Sequence, residues 1–436
     1  MRRLVPYVLL LGVLSLGACS GGDEPAADPA PSESSTPTPA PTETETPAEP
    51  AGPVLTEPTW VSARAYPGIP VALWPVDDGF VGATTGAVVG LDATGGPRWL
   101  RRGLDTVQTW SAGEVVVMYD DRGVTALDAG TGRQLWTTAA SSVTADQDRV
   151  YVATCSGGCE LTARSFATGE VLWSSPTYDG LDELTLVGDE IVAETSRVVA
   201  SALYQPFDRA TGAWTGAAIE GHARVALVPG VVVAGGEADP DASDGCVSTV
   251  RGVTTDGVEL WAREMAVEAE KGEKGEKKAT CPFPTFFTPG PTQDVAASVP
   301  GRASLLLDPR TGRTVLRTEP GQDIDVAAAR VVVTERDAPN GRLSIAAVDR
   351  RTGEPLWSTD DLVTPWRVVD DGRLQRSYQC EPECHVELAD LRTGETIAAA
   401  LGQFIDVGRT AGVDWMAVEL ELFGQARGRF GYVELP

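Results

Sequence analysis

Seven cysteines are the side chains of this 436-residue sequence best suited to chemistry, and their spacing sorts them into kinds. Cys19 stands alone near the N-terminus. Cys155 and Cys159 form a C-x3-C pair, as do Cys380 and Cys384, and Cys246 and Cys281 remain. After Cys19 the count is even, so in an oxidising compartment the expectation is disulfides: 155–159, 380–384 and, by elimination, 246–281. On the loop-entropy model the short bridges contribute roughly 2 kcal/mol each and the long one roughly 4. A zinc site built from the two C-x3-C pairs is the alternative. It needs all four sulfurs within bonding distance, and the repeat described below puts these loops in non-adjacent units.

Other reactive groups are sparse. His222 and His385 are far apart in sequence, and neither sits in an HExxH or triad-like pattern, so no catalytic residue is assigned. No glycine-rich phosphate loop occurs. The stretch Asp239-Pro240-Asp241-Ala242-Ser243-Asp244-Gly245 resembles a calcium loop, but its glycine falls one residue late and the closing bidentate glutamate is missing, so a solvated acidic turn is the expectation and no metal is assigned. Asp239, Asp241 and Asp244 are instead candidate partner-binding residues. So are Phe283, Phe286 and Phe287, interleaved with Pro282, Pro284 and Pro289; a lid over the fold is the plainer reading of these aromatics. Between the two groups, the Lys-Gly-Glu run from Glu268 to Lys278 is too glycine-rich and charged for a stable helix and is expected to extend a loop.

These residues must be delivered somewhere, and the N-terminus says where. Arg2 and Arg3 followed by an apolar run from Leu4 to Leu16 read as a secretory signal over residues 1–18, shorter than the roughly 20 residues of a membrane span. The tetrad Leu16-Gly17-Ala18-Cys19 resembles the lipobox of bacterial lipoproteins. That resemblance implies cleavage before Cys19, acylation of its sulfur with palmitate-type chains, and anchoring on the extracytoplasmic side of the cell membrane. Residues 19–58, rich in Pro, Ala, Thr, Ser and Glu and devoid of Lys and Arg, are expected to be a disordered leash with a reach of roughly 35 Å.

The formal net charge is −27. Nucleic-acid binding requires a basic footprint, so that class of partner is excluded. All the lysines, Lys271, Lys274, Lys277 and Lys278, fall in one segment.

The elements that carry the cysteines repeat. The phrase Asp-x-x-Thr-Gly-x-x-Leu-Trp, whole or in part, returns with its glycine at Gly95, Gly132, Gly169, Gly212, Gly257, Gly312, Gly353 and Gly394, spaced 37, 37, 43, 45, 55, 41 and 41 residues. A period near 40 residues with short alternating strands predicts an all-β fold, a β-propeller of four-stranded antiparallel blades. The aspartate and Thr-Gly suit a tight hairpin turn, and the Leu-Trp supplies apolar area between blades. Apolar strands such as 149–154, 231–234 and 330–334 precede each phrase, which places Thr-Gly between the third and fourth strands. All six cysteines then fall on the opposite face, in second-to-third-strand loops or, for Cys281, in a blade-to-blade connection. Eight such turns predict eight blades. Residues 414–422 and 429–435 read as two further strands, and 59–64 as an orphan fourth strand able to close the ring.

The repeat resembles the pyrroloquinoline-quinone (PQQ)-type propeller repeat over residues 59–436. Quinoprotein dehydrogenases share this repeat with non-catalytic scaffolds, including the propeller lipoprotein of the outer-membrane β-barrel assembly machinery, to which this chain is similar in having a lipobox, a linker and a single propeller. The quinoproteins hold their cofactor with a disulfide of adjacent cysteines, calcium ligands and a catalytic aspartate. No adjacent cysteine pair exists here and the other groups match no position, so no cofactor is assigned. The resemblance implies a non-enzymatic, membrane-anchored scaffold for an envelope protein, peptide or polymer, with a diverged PQQ-dependent or metal-dependent oxidoreductase as the alternative.

Overall fold

A computed structural model describes residues 57–103, 108–177, 181–198, 201–216, 219–239, 246–267, 285–288, 292–298, 303–337, 343–362, 367–370, 372–378, 385–401, 403–410, 413–419 and 429–435. Cys19, the leader and nearly all of the leash lie outside them, as do Asp241, Asp244, Cys281, Phe283, Cys380, Cys384 and the Glu268–Lys278 run.

Every regular element among the described residues is a strand, and the neighbouring strands within each sheet pair antiparallel. Eight blades follow one another along the chain, at 70–102, 108–138, 142–177, 181–214, 219–267, 285–320, 323–362 and 367–401. A ninth is assembled from both ends of the domain: Gln403–Thr410, Val413–Glu419 and Phe430–Glu434 pair in order, and Trp60–Val61 adds on the outside, with Trp60 opposite Tyr432 and Val61 opposite Gly431.

The expected eight blades are therefore corrected to nine. The Thr-Gly turn joins strands three and four of one blade, so counting such turns counts only blades whose last two strands are covalently consecutive. The closing blade takes its fourth strand from the other end of the chain and has no such turn.

The burial pattern explains why the middle strands read as nearly continuous apolar runs instead of strict alternation. Val88 and Val89, Val116 and Val117, and Val150 through Ala153 are all essentially buried, because strands two and three of a blade are covered on both faces by neighbouring blades. The fourth strands, such as Pro97–Arg102, are largely exposed. Nine clusters of buried apolar side chains fill the nine gaps between adjacent blades. One joins Leu73, Phe80 and Val89 of the first blade to Trp415, Ala417 and Phe430 of the last, which closes the ring.

The repeated tryptophan has a second task beyond area. Trp99 lies against Gly132 of the next blade and donates its indole N–H to the Ala129 carbonyl at 2.9 Å. The same bond recurs from Trp136 to Phe166, Trp173 to Arg209, Trp261 to Pro309 and Trp357 to Leu391, always to the carbonyl one residue beyond the turn's first Asp or Ser. Gly132 has φ +69°, and a Cβ there would sit 2.6 Å from the Trp99 ring, so this position admits only glycine on two counts.

The fourth blade departs from the pattern. Its last strand shrinks to a single bridge between Phe207 and Trp214. The strand Ile219–Val228 pairs through its first half with Ser201–Asp208 and through its second with Val231–Asp239, so blades four and five share one seven-stranded sheet.

Candidate binding face

In a four-stranded meander the first and third turns emerge on one face, and the second turn and the link to the next blade on the other. Among the described residues, the second face receives Cys155, Cys159 and Cys246. Cys155 and Cys159 are register partners at the tip of a second-to-third-strand hairpin and form a disulfide. Cys246 opens the strand Cys246–Thr254 on the same face, and Asp239 ends the strand before it.

The aromatic segment is placed differently from its sequence reading. Thr285–Phe287 is the innermost strand of the sixth blade. Phe286 is buried in the core between blades five and six, and Phe287 packs partly buried between six and seven. Consecutive residues of a strand point to opposite faces, so both phenylalanines are used as core and Phe286 is withdrawn from the set of partner contacts. Sequence reasoning missed this because flanking prolines disguised a three-residue strand.

A cavity of about 600 Å³ opens at the channel mouth on the disulfide side. Its wall comes from the N-terminal ends of the inner strands of blades one to four, with Val71, Thr109, Trp110, Ser142, Thr144, Asp182 and Glu183, and from Tyr119 at the end of a second strand. The disulfide hairpin is tied to this wall. Cys155 donates its N–H to Ser141 Oγ at 3.1 Å, Ser141 donates its N–H to the Ala153 carbonyl at 2.7 Å, and the Tyr119 hydroxyl donates to the Ser141 carbonyl at 2.8 Å.

Among the described lining residues, the charged ones are Asp182 and Glu183. Glu194, behind Glu183 in register, has its carboxyl raised above the ordinary range, chiefly by burial and then by the charges of Glu183 and Asp182, with the Tyr204 hydroxyl opposing. Across the ring on the inner strand Asp323–Ala327, Asp325 meets channel water yet is enclosed by protein; this desolvation, with Glu335 beside it, pushes it up to about 6. Among the described residues no three His, Cys, Asp or Glu side chains converge as a metal site. His222 lies in the fifth blade and His385 in the eighth, where its Nε2 is 3.8 Å from Glu387.

A closed ring of four-stranded blades knit by this turn and this tryptophan is a β-propeller, and its repeat resembles the PQQ type. Residues 59–247, the first four blades and the start of the fifth, match the family model described as outer membrane protein assembly factor BamB, which the chain resembles. No curated protein matches the chain. Among solved structures, it is similar to BamB from Moraxella catarrhalis, with 17% identity over 83% of this chain and 93% of that one and a TM-score of 0.39. It is also similar to a eukaryotic initiation factor, with 10% identity over 79% and 90% and a TM-score of 0.52. Quinohemoprotein alcohol dehydrogenase ADHIIG from Pseudomonas putida HK5 is 11% identical over 75% and 73%, with a TM-score of 0.44. Likeness at such identities bears on the fold alone.

Proposed function

We propose that the protein is a lipid-anchored, extracytoplasmic propeller acting as a non-enzymatic binding or assembly scaffold, with the disulfide-bearing face as its docking surface. The match of residues 59–247 to an assembly-factor family carries this reading. The braced hairpin at Cys155–Cys159 supports the choice of face, since loops on a rigid scaffold are where binding concentrates. Acylated Cys19 and the leash over 19–58 would present that face to an envelope protein, peptide or polymer.

The test is cross-linking on whole cells. Replacing 268–284 by a Gly-Ser linker of equal length, together with Asp239→Asn, Asp241→Asn and Asp244→Asn, is expected to abolish partner capture; unchanged capture sinks the assignment of the face. Cys19→Ser is expected to release the protein from the membrane fraction. A thermal-shift titration with PQQ, with and without Ca2+, separates the scaffold from a diverged oxidoreductase. A ligand at 100 times its Kd adds about 2.7 kcal/mol of stability, and the scaffold reading expects no saturable shift.

A further inference from the structure

We propose that a cavity between the sixth and seventh blades, on the face that carries the Thr-Gly turns, binds a phosphate group. The site goes beyond the docking reading and does not depend on it, since it lies on the opposite face of the ring.

The cavity holds about 530 Å³, the scale of a small-ligand site. The first and third turns of both blades build it, and they bring four arginines together: Arg313 from the sixth blade and Arg330, Arg350 and Arg351 from the seventh. Such a wall runs against the net charge of −27 of the whole chain. At the position of Arg350 the repeat elsewhere places a buried apolar side chain, as at Ala129, Phe166 and Leu391. Arg350 instead donates through Nε and Nη2 to Asp294 Oδ2 at 3.0 and 2.6 Å, and Asp294 is only 4% exposed. A buried ion pair is often no more stabilising than the apolar packing it replaces, so the repeat itself gives no reason for this one. Its effect is to fix one guanidinium in the wall, with Nη1 unpaired among the described residues.

The three carboxylates of the wall are already engaged. Asp294 holds Arg350, Asp308 accepts from the Arg310 and Thr311 N–H groups, and Asp349 accepts from those of Arg351 and Thr352. The side chains of Arg313, Arg330 and Arg351 are exposed. Asp349 feels the charge of Arg351, but among the described residues none of these three guanidiniums has a hydrogen bond or an ion pair. The turn that carries Asp294 includes residues 289–291, outside the described ones; they are Pro-Gly-Pro and add no charge. Four guanidiniums thus line the cavity against three carboxylates, and the side-chain donors left over belong to the guanidiniums. A planar guanidinium presents paired N–H donors that match the oxygens of a phosphate, which makes this the chemistry of a phosphate site.

The experiment is calorimetric titration of the full chain in a non-ionic detergent with inorganic phosphate and, separately, with glycerophosphoglycerol, a soluble diester equivalent to a lipid headgroup. Glycerol is the neutral control. Saturable binding of at least one phosphate probe, weakened by added sodium chloride, and none of glycerol is expected. Tighter binding of inorganic phosphate assigns the site to free phosphate or a monoester, tighter binding of the diester to a headgroup; either supports the shared chemistry. Arg313→Gln with Arg330→Gln removes two guanidiniums that hold nothing in the fold, and is expected to weaken binding at least tenfold with the melting temperature retained. Ala329→Glu, which keeps every arginine and adds a carboxylate at an exposed lining position, is expected to do the same. Arg392→Gln, on the same face in the eighth blade, is expected to change nothing. No saturable binding of either probe to the unmodified chain, undiminished binding to either cavity variant, or an equal loss from Arg392→Gln overturns the proposal. Partner capture on cells reads the opposite face, so the two failures are distinguishable.

Discussion

Single side chains show how the repeat is stabilised and how its acids respond to pH. The Asp128 carboxylate accepts from the Thr131 N–H at 2.8 Å and the Thr131 hydroxyl at 2.7 Å, and these bonds hold it below the usual carboxylate range. Asp208 is held down in the same way by Thr211. A depressed acid stabilises the fold above its unfolded pKa of about 4 and loses that contribution as pH falls through the folded value. Asp325 has the opposite sign. Raised to about 6, it binds its proton more tightly when folded, so stability rises as pH falls from about 7 towards about 4. Asp325→Asn is expected to flatten that segment of a melting-temperature-against-pH curve. The gain at pH 7 is about 1 kcal/mol once solvent screening of a group open to the channel is allowed for. In the eighth blade, Arg376 and Glu387 pair at 3.0 Å with both side chains buried, and Glu387 also accepts from the Thr396 hydroxyl. Removing one partner strands a buried charge, so Glu387→Ala is expected to cost about 3–5 kcal/mol in urea unfolding.

Between blades, the turn of one unit and the fourth strand of its neighbour act as a single joint. Gly132→Ala adds a Cβ at positive φ and drives it into the Trp99 ring; the expected loss is about 2–4 kcal/mol in denaturant unfolding. Trp99→Phe keeps most of the apolar area but leaves the Ala129 carbonyl without its indole donor, a smaller loss of about 1–2 kcal/mol. The fourth blade shows what happens when the joint is missing. Four residues after Gly212, where Gly132 and Gly169 are followed by Trp136 and Trp173, stands Gly216. It lies against the Thr255 carbonyl of the next blade, where no side chain fits. The two blades are instead stitched by shared backbone pairing along Ile219–Val228.

At the scale of the ring, one short strand carries closure. Trp60 stacks on Tyr432 with ring centroids 5.6 Å apart and meets Phe80 at 4.9 Å. It also lies over Gly95, as Trp99 lies over Gly132, and so supplies the ninth blade's tryptophan from the other end of the domain. Arg429 adds a clasp of its own, donating through Nη2 to the Ser62 carbonyl at 2.7 Å. Trp60→Ala removes a buried aromatic worth about 3–5 kcal/mol. Because it opens the contact between first and last blades, proteolysis of the variant is expected to begin at these blades, whereas the unmodified chain resists there.

The sequence by itself determined the class of fold, because Asp, Thr-Gly and Leu-Trp act through hairpin chemistry that depends only on near neighbours in the chain. It also determined which turns share a face, since alternation of turns follows from strand order, and it made the Cys155–Cys159 bridge legible from a four-residue separation. Only the tertiary structure decided the blade number, because the ninth blade is made by pairing residues such as Trp60 and Tyr432 that no local phrase connects. It alone withdrew Phe286 into the core, and it alone gathered Val71, Trp110, Tyr119, Asp182 and Glu183 at one mouth. Those five residues come from three blades and share no motif. A channel wall draws one short strand from each repeat, and the composition of that wall appears only once the ring is closed.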